Sequence, residues 1–331
     1  MGGKKKAAKA GKGKKDEEED LSVELFYKAY KKKVAELEVP LSKIVKEKYD
    51  LFVEEEEVIT KFHLWEEMGW AGVRALMDSL RSVSYPHCRS IRLWKTYCED
   101  EGVRAVCQYV QVGKGISVLE LLDNKITPLG CEFISQTIHP SANTTLLVLK
   151  LDHNNFGSEG IKRLSNGLSL NKTLTSLSLT YCNIDAEGAR ALFEILIFSK
   201  STLEELNLTG NHLRNEGVLV LLRGLSIAKS LKKIFLTDNQ FNDDPEMLEA
   251  FKQCMKKNKT LGRYDLMYNN IQEEGVNFFM EVLENEAKHV FELEFSERGL
   301  AKDQIKELQE KLKANKPKKG KKKGGKKKKK K

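Results

Sequence analysis

Residues 146–160 read LLVLKLDHNNFGSEG, residues 174–188 read LTSLSLTYCNIDAEG, and residues 203–217 read LEELNLTGNHLRNEG. All three fit one template, L-x-x-L-x-L-x-x-N-x-L-x-x-x-G, with Cys182 in the Asn position of the second. The template extends upstream to Ile116, Leu119, Leu121, Asn124, Ile126 and Gly130, and before that to Cys88, Ile91, Leu93, Thr96, Cys98 and Gly102. Downstream it meets Leu231, Ile234, Leu236, Asn239 and Phe241, with Pro245 where Gly is expected. Leu261, Tyr264, Leu266, Asn269, Ile271 and Gly275 follow, then Val290, Leu293, Phe295, Arg298 and Leu300. The eight copies begin at residues 88, 116, 146, 174, 203, 231, 261 and 290, a period of 28 to 30 residues. A fixed period of this size marks a repeat architecture, in which no unit buries its apolar face alone and stacking is obligatory.

Each template position has a physical reason. The L-x-L pair predicts a short strand with alternate side chains turned inward. Asn at the ninth position satisfies backbone groups in the turn that leaves the strand, forming a ladder down the stack. The Gly opens a second half with helical apolar spacing, as in Ile161, Leu164 and Leu168, or Ala189, Leu192 and Ile195. Residues 59–78 read as a ninth, degenerate copy, with Ile59, Phe62 and Leu64 followed by a helix from Val73 to Leu80.

On these residues the chain resembles the leucine-rich repeats of the ribonuclease-inhibitor type over roughly residues 59–314. The resemblance implies an α/β solenoid, a horseshoe of eight to nine repeats with a parallel sheet on the concave face and helices outside. Upstream, Val23, Phe26, Tyr30, Val34 and Leu37 recur at helical spacing, Pro40 breaks the run, and Leu41, Ile44, Val45 and Tyr49 continue it. These predict a helical N-terminal cap. The expected organisation is a mixed-charge tail at 1–20, the cap at 21–57, the solenoid at 58–315 and a lysine tail at 316–331, with the charged helix Asp303–Ala314 closing the open end. The F-x-x-x-Y segment (Phe26, Tyr30) followed by a Pro-started helix is also similar to the start of several ciliary and centrosomal leucine-rich-repeat proteins.

Charge sharpens this reading. The chain has 331 residues and a formal net charge of +9. Residues 316–331 hold 12 Lys and no acid, and residues 1–20 hold 7 Lys and 5 acids, so the repeat body between the tails carries a net −5. The folded part is therefore not a nucleic-acid binder by charge, whereas the lysine tail, too polar to fold, would hold a polyanion by counterion release. Acidic tubulin tails and nucleic acid are the candidate acidic polymers. No apolar run approaches the roughly 18 residues of a membrane helix. Without a signal-peptide pattern at its start, the chain is expected in the cytoplasm, with a cilium or cytoskeletal location implied by the second resemblance and the nucleus as the alternative. The six Cys are expected reduced, and the sequons at Asn143, Asn171, Asn207 and Asn258 unglycosylated.

No P-loop, H-E-x-x-H or G-x-S-x-G motif occurs, and no Cys pair has zinc spacing, so neither enzyme activity nor a cofactor is expected. What remains is surface. Residues between and just after the inward Leu positions face the concave side. There the repeat places Trp94, Lys95, Leu122, Asp123, Asp152, His153, Tyr181, Phe235, Asp238, Met267 and Tyr268. Aromatic and apolar anchors beside carboxylates are the residue types of a protein-binding face. The expected function is thus a non-enzymatic scaffold, its concave face seating a protein partner and its lysine tail tethered to a polyanion, with microtubules the candidate polymer. The repeat type also includes GTPase-activating proteins of the Ran-activator type, the alternative reading. That family's acidic C-terminal tail is replaced here by lysines.

Overall fold

The computed structural model describes residues 20–142, 145–297 and 300–317. The expected features at Asn143 and Arg298, and almost all of both tails, lie outside the described residues. Two helices come first, α1 (Ser22–Glu36) and α2 (Lys43–Glu55). Nine strand–helix units follow: β1 (Lys61–Leu64) and α3 (Gly69–Ser82), β2 (Ser90–Trp94) and α4 (Glu99–Val112), β3 (Val118–Leu122) and α5 (Pro128–Ile138). Next come β4 (Val148–Lys150) and α6 (Gly157–Leu168), β5 (Ser176–Ser178) and α7 (Ala186–Ile197), and β6 (Glu205–Asn207) and α8 (Arg214–Leu225). The last are β7 (Lys233–Phe235) and α9 (Pro245–Lys257), β8 (Arg263–Asp265) and α10 (Glu273–Asn285), and β9 (Glu292–Glu294) and α11 (Lys302–Asn315). The strands form one open parallel sheet in chain order, β1 to β9. This is the expected α/β leucine-rich-repeat solenoid, and the degenerate copy at residues 59–78 supplies its first unit.

Register explains why the inward positions must be apolar. Phe62, Ile91, Leu119, Leu149, Leu177, Leu206, Ile234, Tyr264 and Leu293 pair in an unbroken line across the sheet. All are buried. A polar residue there would face only side chains of the neighbouring units.

The Asn ladder runs beneath the turns. Asn154 Oδ1 accepts from the amides of Asn124 (2.9 Å) and Ile126 (3.1 Å), and its Nδ2 donates to the carbonyls of Leu121 and Leu151 (both 2.7 Å). Asn124, Asn211 and Asn269 repeat the arrangement between their own units, whereas Asn239 keeps only the donor half, its Nδ2 bonding to the Leu208 carbonyl (2.9 Å) while its buried Oδ1 accepts from no described residue. Cys182 keeps part of it, its thiol lying 3.4 Å from the Leu151 carbonyl. Asn171 and Asn258, two of the sequon residues, are buried at helix ends, where each Oδ1 accepts the amides that lead into the next strand.

Polar residues also stitch several helix starts to the unit before them. Asp100 accepts from the amides of Thr127 (2.9 Å) and Gly130 (3.0 Å), and Asp243 from that of Gln272 (2.8 Å). A carboxylate at a helix N-terminus satisfies free amides and meets the positive end of the dipole. Between α5 and α6 the backbones approach so closely that a Cβ on Gly167 would lie 2.2 Å from the Ser135 carbonyl oxygen, so only Gly fits.

The N-terminal helices cover the first unit. Phe26 packs against Phe62 and Tyr85 (ring centroids 5.4 and 5.5 Å), and Tyr27 stacks on Tyr49 at 3.8 Å. The Tyr85 hydroxyl accepts from the Ile59 amide (3.1 Å) and donates to its carbonyl (3.0 Å), closing backbone groups at the start of β1. At the other end, α11 buries Leu308 and Leu312 and bonds to α10 through Gln304 and Lys311. It does not fully close that end. A groove of about 690 Å³ remains between α11 and β9.

Candidate functional site

The concave face is built by alternation along the strands. With Ile91 and Leu93 turned inward, Ser90, Arg92 and Trp94 face outward, and every following strand repeats this. The residue after each strand turn is held in the left-handed region: Lys95, Asp123, His153, Tyr181, Asp238 and Tyr268 have φ between 51° and 58°. The same turn, repeated, lines these side chains along one rim.

The N-terminal end carries an exposed apolar row. Trp94 pairs in register with Leu122, and Trp65 follows Leu64 as Trp94 follows Leu93, its paired neighbour. Trp65 and Trp94 are 64% and 56% exposed, and Leu122 is half-buried. Trp94 therefore is not covered by the N-terminal helices. Trp65 was not among the expected site residues. Its copy lacks the leading Leu and the Asn, and only the Leu64-Trp65 match to Leu93-Trp94 signals its place.

Beside this row lies an ion ladder. Glu120, its side chain 10% exposed, takes Arg92 at 3.2 Å from one neighbouring strand and Lys150 at 3.3 Å from the other. His63 shares a hydrogen bond with Ser90 Oγ at 2.9 Å. Burial first, then the Arg92 charge, holds its imidazole below the usual histidine range. The ladder was legible only through register, since its partners sit one repeat apart.

The three carboxylates expected beside the anchors, Asp123, Asp152 and Asp238, are already engaged. Asp123 pairs with Lys95 at 3.6 Å, and Asp152 Oδ1 accepts from the Thr180 amide at 2.9 Å. Asp238 accepts from the Tyr181 hydroxyl at 3.4 Å. His153 stacks on Tyr181 with ring centroids 5.1 Å apart. These residues form a continuous polar-aromatic strip rather than free charge. Toward the C-terminal end, Phe235 is half-buried under the Lys233 ammonium (4.1 Å). Met267 is half-buried at the edge of the terminal groove, and Tyr268 is 68% exposed. Trp94 and Leu122, with Trp65, thus gather at one end, and Phe235, Met267 and Tyr268 at the other.

Among the described residues no group of three His, Cys, Asp or Glu is placed to hold a metal ion. The six thiols are all buried. Burial pushes Cys88, Cys98, Cys107 and Cys254 up to about 12, and Cys131 and Cys182 higher still. Thiols held in that range carry no nucleophilic thiolate at neutral pH. Among the described residues no helix is long and apolar enough to cross a membrane.

The sheet, the Asn ladder and the outer helices define a leucine-rich-repeat solenoid. A family model described as Leucine Rich repeat matches residues 142–165, 170–193 and 199–222. Mouse ribonuclease inhibitor is 27% identical over 216 residues, which is 64% of this chain and 46% of that protein. Human NACHT, LRR and PYD domains-containing protein 5 is 29% identical over 209 residues, which is 62% of this chain and 17% of that protein. Among solved structures, a chain described as Leiomodin-1 Actin-Binding Site 2 matches at 14% identity and a TM-score of 0.32, covering 63% of this chain and 86% of that one. That last likeness is too low to carry an argument. The chain spans less than half the length of either curated relative. The chain is a leucine-rich-repeat solenoid whose repeats are similar to those of ribonuclease inhibitor, and the repeat class supports a protein-interaction role.

Proposed function

We propose that this protein is a non-enzymatic scaffold whose concave face seats a protein partner at its N-terminal end. The observation that supports this reading is the row Trp65–Trp94–Leu122, with both indoles exposed beside the half-buried Leu122. Large aromatics left in water on a curved sheet are anchor types, and losing one from a binding centre costs about 2 kcal/mol or more. The strip from Lys95 to Asp238 then forms the polar surround. In this reading Lys316–Lys331 tethers the assembly to an acidic polymer, with tubulin tails first and a ciliary or cytoskeletal setting.

The test compares tagged wild type with the Trp65→Ala/Trp94→Ala double variant by affinity purification and quantitative mass spectrometry. A partner retained by wild type and depleted by about thirtyfold in the variant supports the reading. An identical partner set overturns it. For the tail, deletion of residues 316–331 is expected to abolish microtubule co-sedimentation at low salt, and unchanged sedimentation removes that part. Stimulated single-turnover hydrolysis of GTP on a Ran-type GTPase would instead favour the GTPase-activating alternative.

A further inference from the structure

The sheet ends at β9, and its outer edge is unsatisfied. In the units before it, the second inward residue donates its amide to the next strand: Leu179 to Asn207 (2.9 Å), Leu208 to Phe235 (3.0 Å), Leu236 to Asp265 (2.8 Å) and Leu266 to Glu294 (2.9 Å). The equivalent amide at the end of the sheet is that of Phe295, and among the described residues it has no acceptor. Below this edge lies the 690 Å³ groove, walled by Leu293 and Phe295 on one side and Leu300, Ile305, Leu308 and Leu312 on the other. Above it, on the concave side, the charges are unbalanced. At the far end of the sheet a carboxylate sits between two cations, Glu120 between Arg92 and Lys150. Here Asp265 and Glu294 are paired neighbours of like charge, with Glu297 also on the groove's rim. Partial desolvation, then Asp265 and Glu292, outweighs the opposing charge of Lys233 and holds the Glu294 carboxyl above the usual carboxylate range.

We propose that β9 and α11 form a docking site for an extended segment of another protein, which adds as a tenth parallel strand with apolar side chains in the groove and lysine or arginine on the concave side. An edge strand offers main-chain bonds and the pleat sorts alternate side chains to opposite faces, so affinity and specificity come from different parts of the segment. The apolar wall selects one face of the strand. The Asp265–Glu294 pair, continuing the ladder by one step, selects basic residues on the other. The lysine tail of this chain has the charge but no apolar residue to fill the groove. This site lies at the opposite end of the sheet from the tryptophan row and stands or falls separately from it.

The probe is a fluorescein-labelled heptapeptide, Lys-Val-Lys-Leu-Lys-Val-Lys, titrated by anisotropy into the full chain, with its Lys-to-Glu counterpart as control. The basic peptide is expected to bind and the acidic one not to. Glu294→Lys, at an exposed position, is expected to weaken the basic peptide by about tenfold or more. Ile305→Glu is expected to do the same through the apolar wall. Hydrogen exchange supplies a readout that general charge attraction would not move, since the Phe295 amide should gain protection only when the peptide is bound. Absence of binding, binding that Glu294→Lys leaves unchanged, or binding without protection at Phe295 each overturns the proposal. So does protection of Phe295 without peptide in a dimer seen by sedimentation, which would assign the edge to a second copy.

Discussion

Tyr181 lies across Gly210 and donates a hydrogen bond to Asp238, 57 residues along the chain, at 3.4 Å. The ring bridges a whole repeat, and Gly210 makes this possible in two ways. Its φ is +68°, and a Cβ there would lie 2.1 Å from Tyr181 Cε1. Any side chain at 210 must both adopt a left-handed backbone and displace the ring.

Gly210→Ala is therefore expected to lose about 1–2 kcal/mol, the cost of an L-residue in the left-handed region. Tyr181→Phe removes only the exposed hydroxyl bond and is expected to lose well under about 1 kcal/mol. Urea unfolding followed by far-UV circular dichroism gives both values. A Gly210→Ala loss that disappears in a Tyr181→Ala background would show that the ring contact, not the backbone, sets the requirement for Gly.

The Asn ladder yields a graded expectation. Asn154 is fully buried and serves two amides and a carbonyl of the preceding unit and the Leu151 carbonyl of its own. Each group left unsatisfied in the interior costs about 1–3 kcal/mol, so Asn154→Ala should lose about 3 kcal/mol or more. Asn269 has the same role near the open end but is only half-buried, so water replaces part of what it supplies. Asn269→Ala should lose less than half as much. The order of the two urea midpoints checks this, and a reversed order would mean the ladder is not what holds the units in register.

The repeat was legible because each template position answers to a local need. Leu149 must be apolar between two strands, and Asn154 must be a short amide under a turn. Those needs recur at every copy and so print a pattern on the sequence. The site was only half legible for the opposite reason. Sequence position places Asp152 and Tyr181 on the concave side, but their partners lie 28 and 57 residues away in other copies. Nothing local shows that Asp152 is committed to the Thr180 amide. Likewise α11 has the composition of a closing helix, yet how much of β9 it covers depends on its packing against α10.

The buried thiols give a chemical prediction. All six Cys are buried, with thiol pKa values raised by desolvation. Iodoacetamide at pH 8 and short exposure is expected to label none of them in the folded chain and all six in urea. Cys182→Ala should cost more than the loss of its volume alone, because its thiol is the donor facing the Leu151 carbonyl. Mass spectrometry counts the labels, and rapid native labelling of Cys182 would mean that the ladder opens at this copy before global unfolding.

Glu294 ties stability to pH at the open end of the sheet. Its carboxyl is held above the usual range by partial desolvation and by Asp265 and Glu292, against the smaller pull of Lys233, so the folded chain binds that proton more tightly than the unfolded chain does. The sign follows. As pH rises through the unfolded and then the folded pKa, Glu294 contributes a growing penalty, complete above the folded value and absent below the unfolded one. Glu294→Gln removes the charge at every pH. Its urea midpoint is expected to exceed that of the wild type at pH 7, and the gap should close as pH falls towards about 4, the ordinary glutamate value. The basic heptapeptide should reduce the same gap at pH 7 by supplying the missing cation, since it binds the wild type better than the variant. A gap that persists at pH 4 would place the effect of Glu294 in its packing rather than in its charge.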